Sequence, residues 1–255
     1  MLDDPYRWVE AIGNRREYLT DQLAGASPVV ACRYADGLLL LTSTPGPRKI
    51  FEAYNQIGFA GVGHPADIEK LRKAVIDIAH LEAFNLSARD VSLQRLVNFG
   101  VGPLMKAAFD EIYRSPFIAR VMVAELDPTD DHETFCTVDA DGSFGAAQNT
   151  AVIAGSPEVA ETILAHLPDD REPAPLEQAL VTMLQAWGVG RLRAEAGEDE
   201  FTEPTAAQIS AAIDSALASV HLEAGVLDRT VQMKTKFRLL DQATLTSAVD
   251  AVRAA

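Results

Sequence analysis

SPVVACRYADGLLLLTSTPGPRKIFEAYNQIGFAGVG, Ser27–Gly63, is the stretch that decides how the rest of this chain is read. Ser27–Tyr34 alternates weakly and is rich in β-formers, and Ala35-Asp36-Gly37 follows as a hairpin turn. Gly37–Thr42 is almost wholly apolar, which predicts a strand buried on both faces. Thr44–Pro47 is a loop. Lys49–Tyr54 and Ile57–Val62 then form a second strand pair around Asn55-Gln56. The order is strand, turn, strand, a lysine, and a strand pair that ends in glycine.

Ahead of this block lie residues 1–26. Met1–Pro5 is expected to be mobile. Tyr6–Leu23 places Trp8, Ile12, Tyr18, Leu19 and Leu23 at roughly helical intervals, and Gly25 ends the run. An amphipathic helix of this kind needs a surface to pack on.

Beyond the block, Pro65-Ala66-Asp67 opens a helix with Leu71, Ala74, Val75, Ile78 and Leu81 on one face. Ser87–Asp90 starts a second helix that runs to about Tyr113, with a kink near Gly102 and Pro103. Arg120–Leu126, Thr134–Val138, Ser143–Ala146 and Thr150–Ala154 read as strands, the middle two joined at Asp139–Gly142. Ser156–His166 and Pro175–Trp187 are helical, the first with a serine cap and a first-turn proline. Arg191–Thr205 reads as an acidic loop and Ala206–Ala216 as a helix. Val220–Leu227 and Met233–Leu240 are the last strands, and Asp241–Ala255 is a final helix capped by Asp241. Two antiparallel sheets with helices outside them satisfy this order, an α+β, four-layer αββα sandwich.

The chain has 255 residues, 48% of them hydrophobic, which is enough to bury a sizeable core. Its formal net charge is −15, opposite to a nucleic-acid footprint and to attraction by an anionic membrane surface. No apolar run reaches the ~18 residues of a membrane span, and the acidic N-terminus has no secretory core. A cytoplasmic location follows as the expectation. Cys32 and Cys136 form no disulfide framework and read as buried small apolar residues. The five histidines show no metal spacing, so neither a metal nor a cofactor is expected, and Asp130–His132 reads as a solvated turn.

The pattern Tyr34-Ala35-Asp36-Gly37, then Arg48-Lys49-Ile50-Phe51, then Gly61-Val62-Gly63 with Asp67 after it, resembles the proteasome family. Asp139–Ser143 (DADGS) is similar to the family's D-x-x-G-S hairpin, and Ala154-Gly155-Ser156 to its small-residue turn before a helix. The leader and the Thr150–Leu167 stretch look most like actinobacterial 20S α-type subunits. The resemblance implies an N-terminal-nucleophile hydrolase fold, with 1–26 as gate segment and helix and 27–255 as the αββα domain.

Proteolysis in that family uses a chain-terminal Thr or Ser whose own α-amine is the general base. Counted from the Ala35-Asp36-Gly37 turn, the nucleophile position falls on Ser27 and the acid position on Ser43; Lys49 matches the lysine by motif. Ser27 is internal and precedes Pro28, so no catalytic residue is expected, Ser27 and Lys49 being vestigial candidates. The resemblance implies instead a ring of seven α-type subunits over a β-type ring, with Met1, Leu2, Asp3, Asp4, Pro5 and Tyr6 as a gate for protein substrates in transit. It also implies a docking pocket for the C-terminal tails of an ATP-dependent unfoldase, in which Lys49 pairs with the terminal carboxylate and Gly63 contributes backbone. The alternatives are a self-processing hydrolase that uses Ser27, and a free-standing proteasome homologue.

Overall fold

The computed structural model describes residues 5–111, 113–126, 134–168, 173–197 and 201–254. Of the expected gate, Met1–Asp4 lie outside the described residues, as does the Asp130–His132 turn.

Helix α1 (Pro5–Leu23) leads into two hairpins, β1 (Val29–Tyr34) with β2 (Gly37–Thr44) and β3 (Ile50–Tyr54) with β4 (Ile57–Gly63). Helix α2 (Pro65–Asn85) follows, then α3 (Leu93–Leu96), a π-turn (Val97–Val101) and α4 (Gly102–Asp110). Four strands come next: β5 (Ala119–Glu125), β6 (Thr134–Val138), β7 (Phe144–Ala147) and β8 (Thr150–Ile153). Then come α5 (Pro157–Ala165), α6 (Leu176–Ala196), α7 (Ala206–Leu217), β9 (His221–Asp228), β10 (Phe237–Leu239) and α8 (Gln242–Ala254).

Two antiparallel five-stranded sheets result. Sheet A has the order β10-β9-β2-β1-β8 and sheet B the order β3-β4-β5-β6-β7. Side chains from both sheets meet between them, among them Leu38, Leu40, Met122 and Phe135. The outer face of sheet A is covered by α5–α8 around Trp187, and that of sheet B by α2–α4 around Leu71, Leu96 and Met105. The α+β sandwich expected from the element order is thus observed. β2 is buried along its whole length, as its apolar run required.

Several boundaries differ from the sequence reading, each for a physical reason. Leu81 is 58% exposed and is not on the buried face of α2; Ile68 and Ala79 are. The next helix starts at the Ser92 cap and not at Ser87. Its break at Pro103 takes the form of a π-turn, where the Gly102 N–H reaches back five residues to the Val97 carbonyl. Helix α6 runs on through Arg191 to Ala196, so only part of the expected acidic loop exists as such. Gly188 and Gly190 do not end it because they are contact points. A Cβ at Gly188 would lie 2.9 Å from Ile209, and one at Gly190 2.4 Å from Ile163.

Candidate functional site

Ser27, Ser43 and Lys49 come together although 22 residues separate the first from the last. Ser27 lies two residues before β1, Ser43 lies near the end of β2, and Lys49 sits one residue before β3. The two hydroxyls are 2.8 Å apart. The Lys49 ammonium donates to the Ser27 carbonyl at 3.2 Å, not to its hydroxyl. On the far side, the Trp187 indole N–H of α6 donates to Ser27 Oγ at 3.4 Å.

Glu223 of β9 completes the cluster. Its Oε2 accepts from the Lys49 backbone N–H at 2.9 Å and its Oε1 from the Ile50 N–H at 3.0 Å. Neither Glu223 nor Trp187 was singled out from sequence. Glu223 did leave a signal, as the one acid within the apolar run Leu222–Leu227.

Burial dominates the electrostatics. It pushes the Lys49 amine down from 10.5 to about 8, against the pull of the Glu223 charge in the other direction. Burial also holds the Glu223 carboxyl above its usual range, although the two amide donors and the charges of Arg48 and Lys49 oppose it. Each group thus registers the other's attraction, and desolvation outweighs it at both.

Gly63 ends β4 with φ +125°, and a Cβ there would lie 2.2 Å from the Ile118 carbonyl oxygen. The adjoining turn is tied to the same segment, since the His64 N–H donates to the Ile118 carbonyl at 2.7 Å and Asp67 accepts from the Ile118 N–H at 3.1 Å. Lys49 stands across from Gly61, whose N–H bonds to the Lys49 carbonyl at 3.0 Å. Gly63 is therefore two residues, roughly 7 Å, further along the neighbouring strand. The residues singled out from sequence lie at one end of the β3–β4 pair.

The leader packs into this architecture. Leu19 and Leu23 of α1 are buried against Phe109 and Ala140, and the Leu23 carbonyl accepts from the Ala26 N–H at 2.9 Å. Arg15 donates to the Ala108 and Glu111 carbonyls at the end of α4. Trp8, Val9 and Tyr18 face outward and stay exposed. Of the gate positions that are described, Pro5 and Tyr6 form the first turn of α1.

A family model described as Proteasome subunit matches residues 25–202. The chain belongs to the proteasome subunit family. Within that family its likeness is to α-type members. It is 31% identical over 206 residues to the proteasome subunit alpha of Actinosynnema mirum, covering 80% of this chain and 76% of that protein. It is 29% identical over 223 residues to the corresponding protein of Frankia alni, covering 87% and 85%. With the protein of Geodermatophilus obscurus it shares 28% over 240 residues, covering 93% and 77%.

The hydroxyl of Ser43, the residue that the sequence resemblance matched to the acid, carries no charge to steer a proton. Ser27, the residue that the sequence resemblance matched to the nucleophile, has its nitrogen in the Ala26–Ser27 amide bond and so offers no free amine. In this proteasome-family sandwich Cys32 and Cys136 are buried, and burial raises their thiols to about 12 and about 11. His64 caps α2, and His166 bridges the Thr162 carbonyl and Glu203, each at 2.7 Å. Among the described residues no group of three His, Cys, Asp or Glu side chains could hold a metal ion, and no helix is long and apolar enough to cross a membrane.

Proposed function

We propose that this chain is a non-catalytic α-type subunit of a 20S proteasome core particle. In this reading it assembles with copies of itself into a ring, stacks on a β-type ring, gates the entry of protein substrates and docks an ATP-dependent activator in the cytoplasm. One observation carries the reading: Ser27 sits inside the chain, behind a helix whose Leu19 and Leu23 are buried in the fold, while Lys49 keeps its place beside it. A hydroxyl without a free α-amine lacks the base on which this chemistry depends.

Lys49 is the proposed receptor for the activator's terminal carboxylate. An ammonium in a partly dry crevice attracts a carboxylate more strongly than one in water. Gly63 is the proposed backbone contact of the same pocket, and Met1–Tyr6 the proposed gate. The exposed Trp8, Val9 and Tyr18 of α1 support contacts with neighbouring subunits, as do the exposed Phe84 and Phe99 on the α2–α4 layer, since large apolar side chains left in water gain from being covered. Native mass spectrometry tests the assembly. A sevenfold ring, alone or with a β-type partner, is expected; monomer under every condition rejects the reading and favours a free-standing homologue. Lys49→Ala should abolish activator stimulation while sparing assembly.

A second reading, a self-processing hydrolase that uses Ser27, draws on the contact between Lys49 and Ser27. Cleavage between Ala26 and Ser27 would be needed to free the amine. Intact-mass measurement distinguishes the two: a mature chain starting at Ser27 supports hydrolysis, and a full-length chain inert to N-terminal-nucleophile inhibitors rejects it.

A further inference from the structure

Glu223 stands opposite Thr42 of β2 in sheet A. Its neighbours Leu222 and Ala224 pack under α5–α8, so the pleat turns Glu223, like Leu227, toward sheet B. It is 9% exposed there. A buried carboxylate is costly unless its oxygens are satisfied. Here two consecutive backbone amides, those of Lys49 and Ile50, satisfy one oxygen each. Ile50 opens β3, the edge strand of sheet B, and Lys49 stands one residue before it. A side chain from the opposite sheet takes both amides.

Lys49 is consequently held at three points. Its N–H is bound by Glu223 on β9, its carbonyl by Gly61 on β4, and its ammonium by the Ser27 carbonyl before β1. Two of these anchors belong to the sheet A side and one to sheet B, so the position of the ammonium depends on how the sheets are tied.

We propose that Glu223 is a positioning residue for Lys49, binding two consecutive amides across the sheet gap and thereby setting where the ammonium meets an incoming carboxylate. This rests on the docking role proposed above for Lys49. A positioning role and a plain counter-charge role predict opposite shifts of the Lys49 amine. The Glu223 charge holds that amine up while burial holds it down. Loss of the charge alone lowers the amine further. Loss of the clamp returns it to water and raises it toward an ordinary lysine value. The charged groups facing the pair are Arg48 and Lys49 toward Glu223, and Glu223 toward Lys49; Ser27, Ser43 and Trp187 are neutral.

The test is competitive acylation with acetic anhydride across about pH 7 to 11 on the full-length assembled protein, read by mass spectrometry. The exposed Lys70 and Lys73 serve as internal references. In Glu223→Gln, which keeps the volume but replaces one acceptor with an N–H, the Lys49 midpoint is expected to rise. The affinity for a short peptide with a free C-terminal carboxylate is expected to fall about tenfold, through the misplaced ammonium. A midpoint that falls or stays put overturns the proposal. A second measurement needs no variant. Hydrogen exchange on the unaltered protein should find the Lys49 and Ile50 amides protected at neutral pH and losing protection together as acid neutralises Glu223; exchange of both at open-loop rates overturns it. Lys49→Ala separates the two ideas. If that variant binds the peptide unchanged, the docking role fails, while the midpoint shift in Glu223→Gln still decides the positioning role.

Discussion

Ser27 and Ser43 face each other hydroxyl to hydroxyl at 2.8 Å. The contact joins the entry to β1 with the end of β2, and the Trp187 indole donates to the same Ser27 oxygen. Ser27→Ala should therefore act on stability and not on turnover. Losing the acceptor for a buried indole N–H and the partner of a buried hydroxyl costs about 1–2 kcal/mol. Denaturant unfolding reads the cost. Peptide hydrolysis by the particle assembled with its β-type partner should be unchanged, and a proportional loss of hydrolysis would point to Ser27 chemistry.

Lys49 predicts a pH dependence of definite sign. Its amine is near 8 in the folded chain against 10.5 when unfolded. The unfolded state thus binds more protons between those values, and stability gains from this group as pH rises through that window. Below pH 8 the burial cost is fully present. Lys49→Met, which removes the charge and keeps the stem, should stabilise the chain by about 1–2 kcal/mol at neutral pH, less than the full shift because the Ser27 carbonyl loses its donor. The advantage should close by about pH 10.5. Thermal melts of the two proteins across pH measure it, and a constant difference would contradict it.

Gly63→Ala tests the backbone at the end of β4. With φ at +125° and the Ile118 carbonyl oxygen 2.2 Å from the new Cβ, neither the conformation nor the space suits an L side chain. We expect a loss of about 3 kcal/mol or more, with displacement of the β4–α2 turn. Chemical denaturation gives the magnitude. A loss below about 1 kcal/mol would mean that the turn relaxes freely.

Leu23→Ala tests whether the leader is structural. Leu23 is fully buried at the end of α1, and truncation in a packed site costs about 2–5 kcal/mol. Because α1 rests on the small cluster with Phe109 and Ala140, the effect should be local. Hydrogen exchange should rise across α1 and ring assembly should weaken, while the amides of β1 and β2 stay protected. Uniform deprotection of the whole sandwich would instead tie α1 to the global core.

The sheets were legible in sequence because strand chemistry is local. The unbroken apolar run Gly37–Thr42 could only be a strand covered on both faces, and Ala35-Asp36-Gly37 could only turn. The helix ends were less legible. The helix expected to end at Trp187 runs on through Gly188 and Gly190, which are contact surfaces for Ile209 and Ile163, a property that exists only once α5 and α7 are in place. The π-turn at Val97–Val101 similarly answers both a local proline and the packing of α2 beside it.

Residue order alone determined the two-sheet sandwich and the family likeness, and marked Ser27, Ser43 and Lys49 as candidates. Only the tertiary structure decided what those residues do to one another. It set the lysine's ammonium on the Ser27 carbonyl, brought the Trp187 indole to the Ser27 hydroxyl, and laid Glu223 across the sheet gap onto two amides 173 and 174 residues away. The physical reason is range. Turn chemistry and hydrophobic period are written within a few residues, whereas the burial that sets the Lys49 amine and the reach of Glu223 arises when distant strands close over the same space.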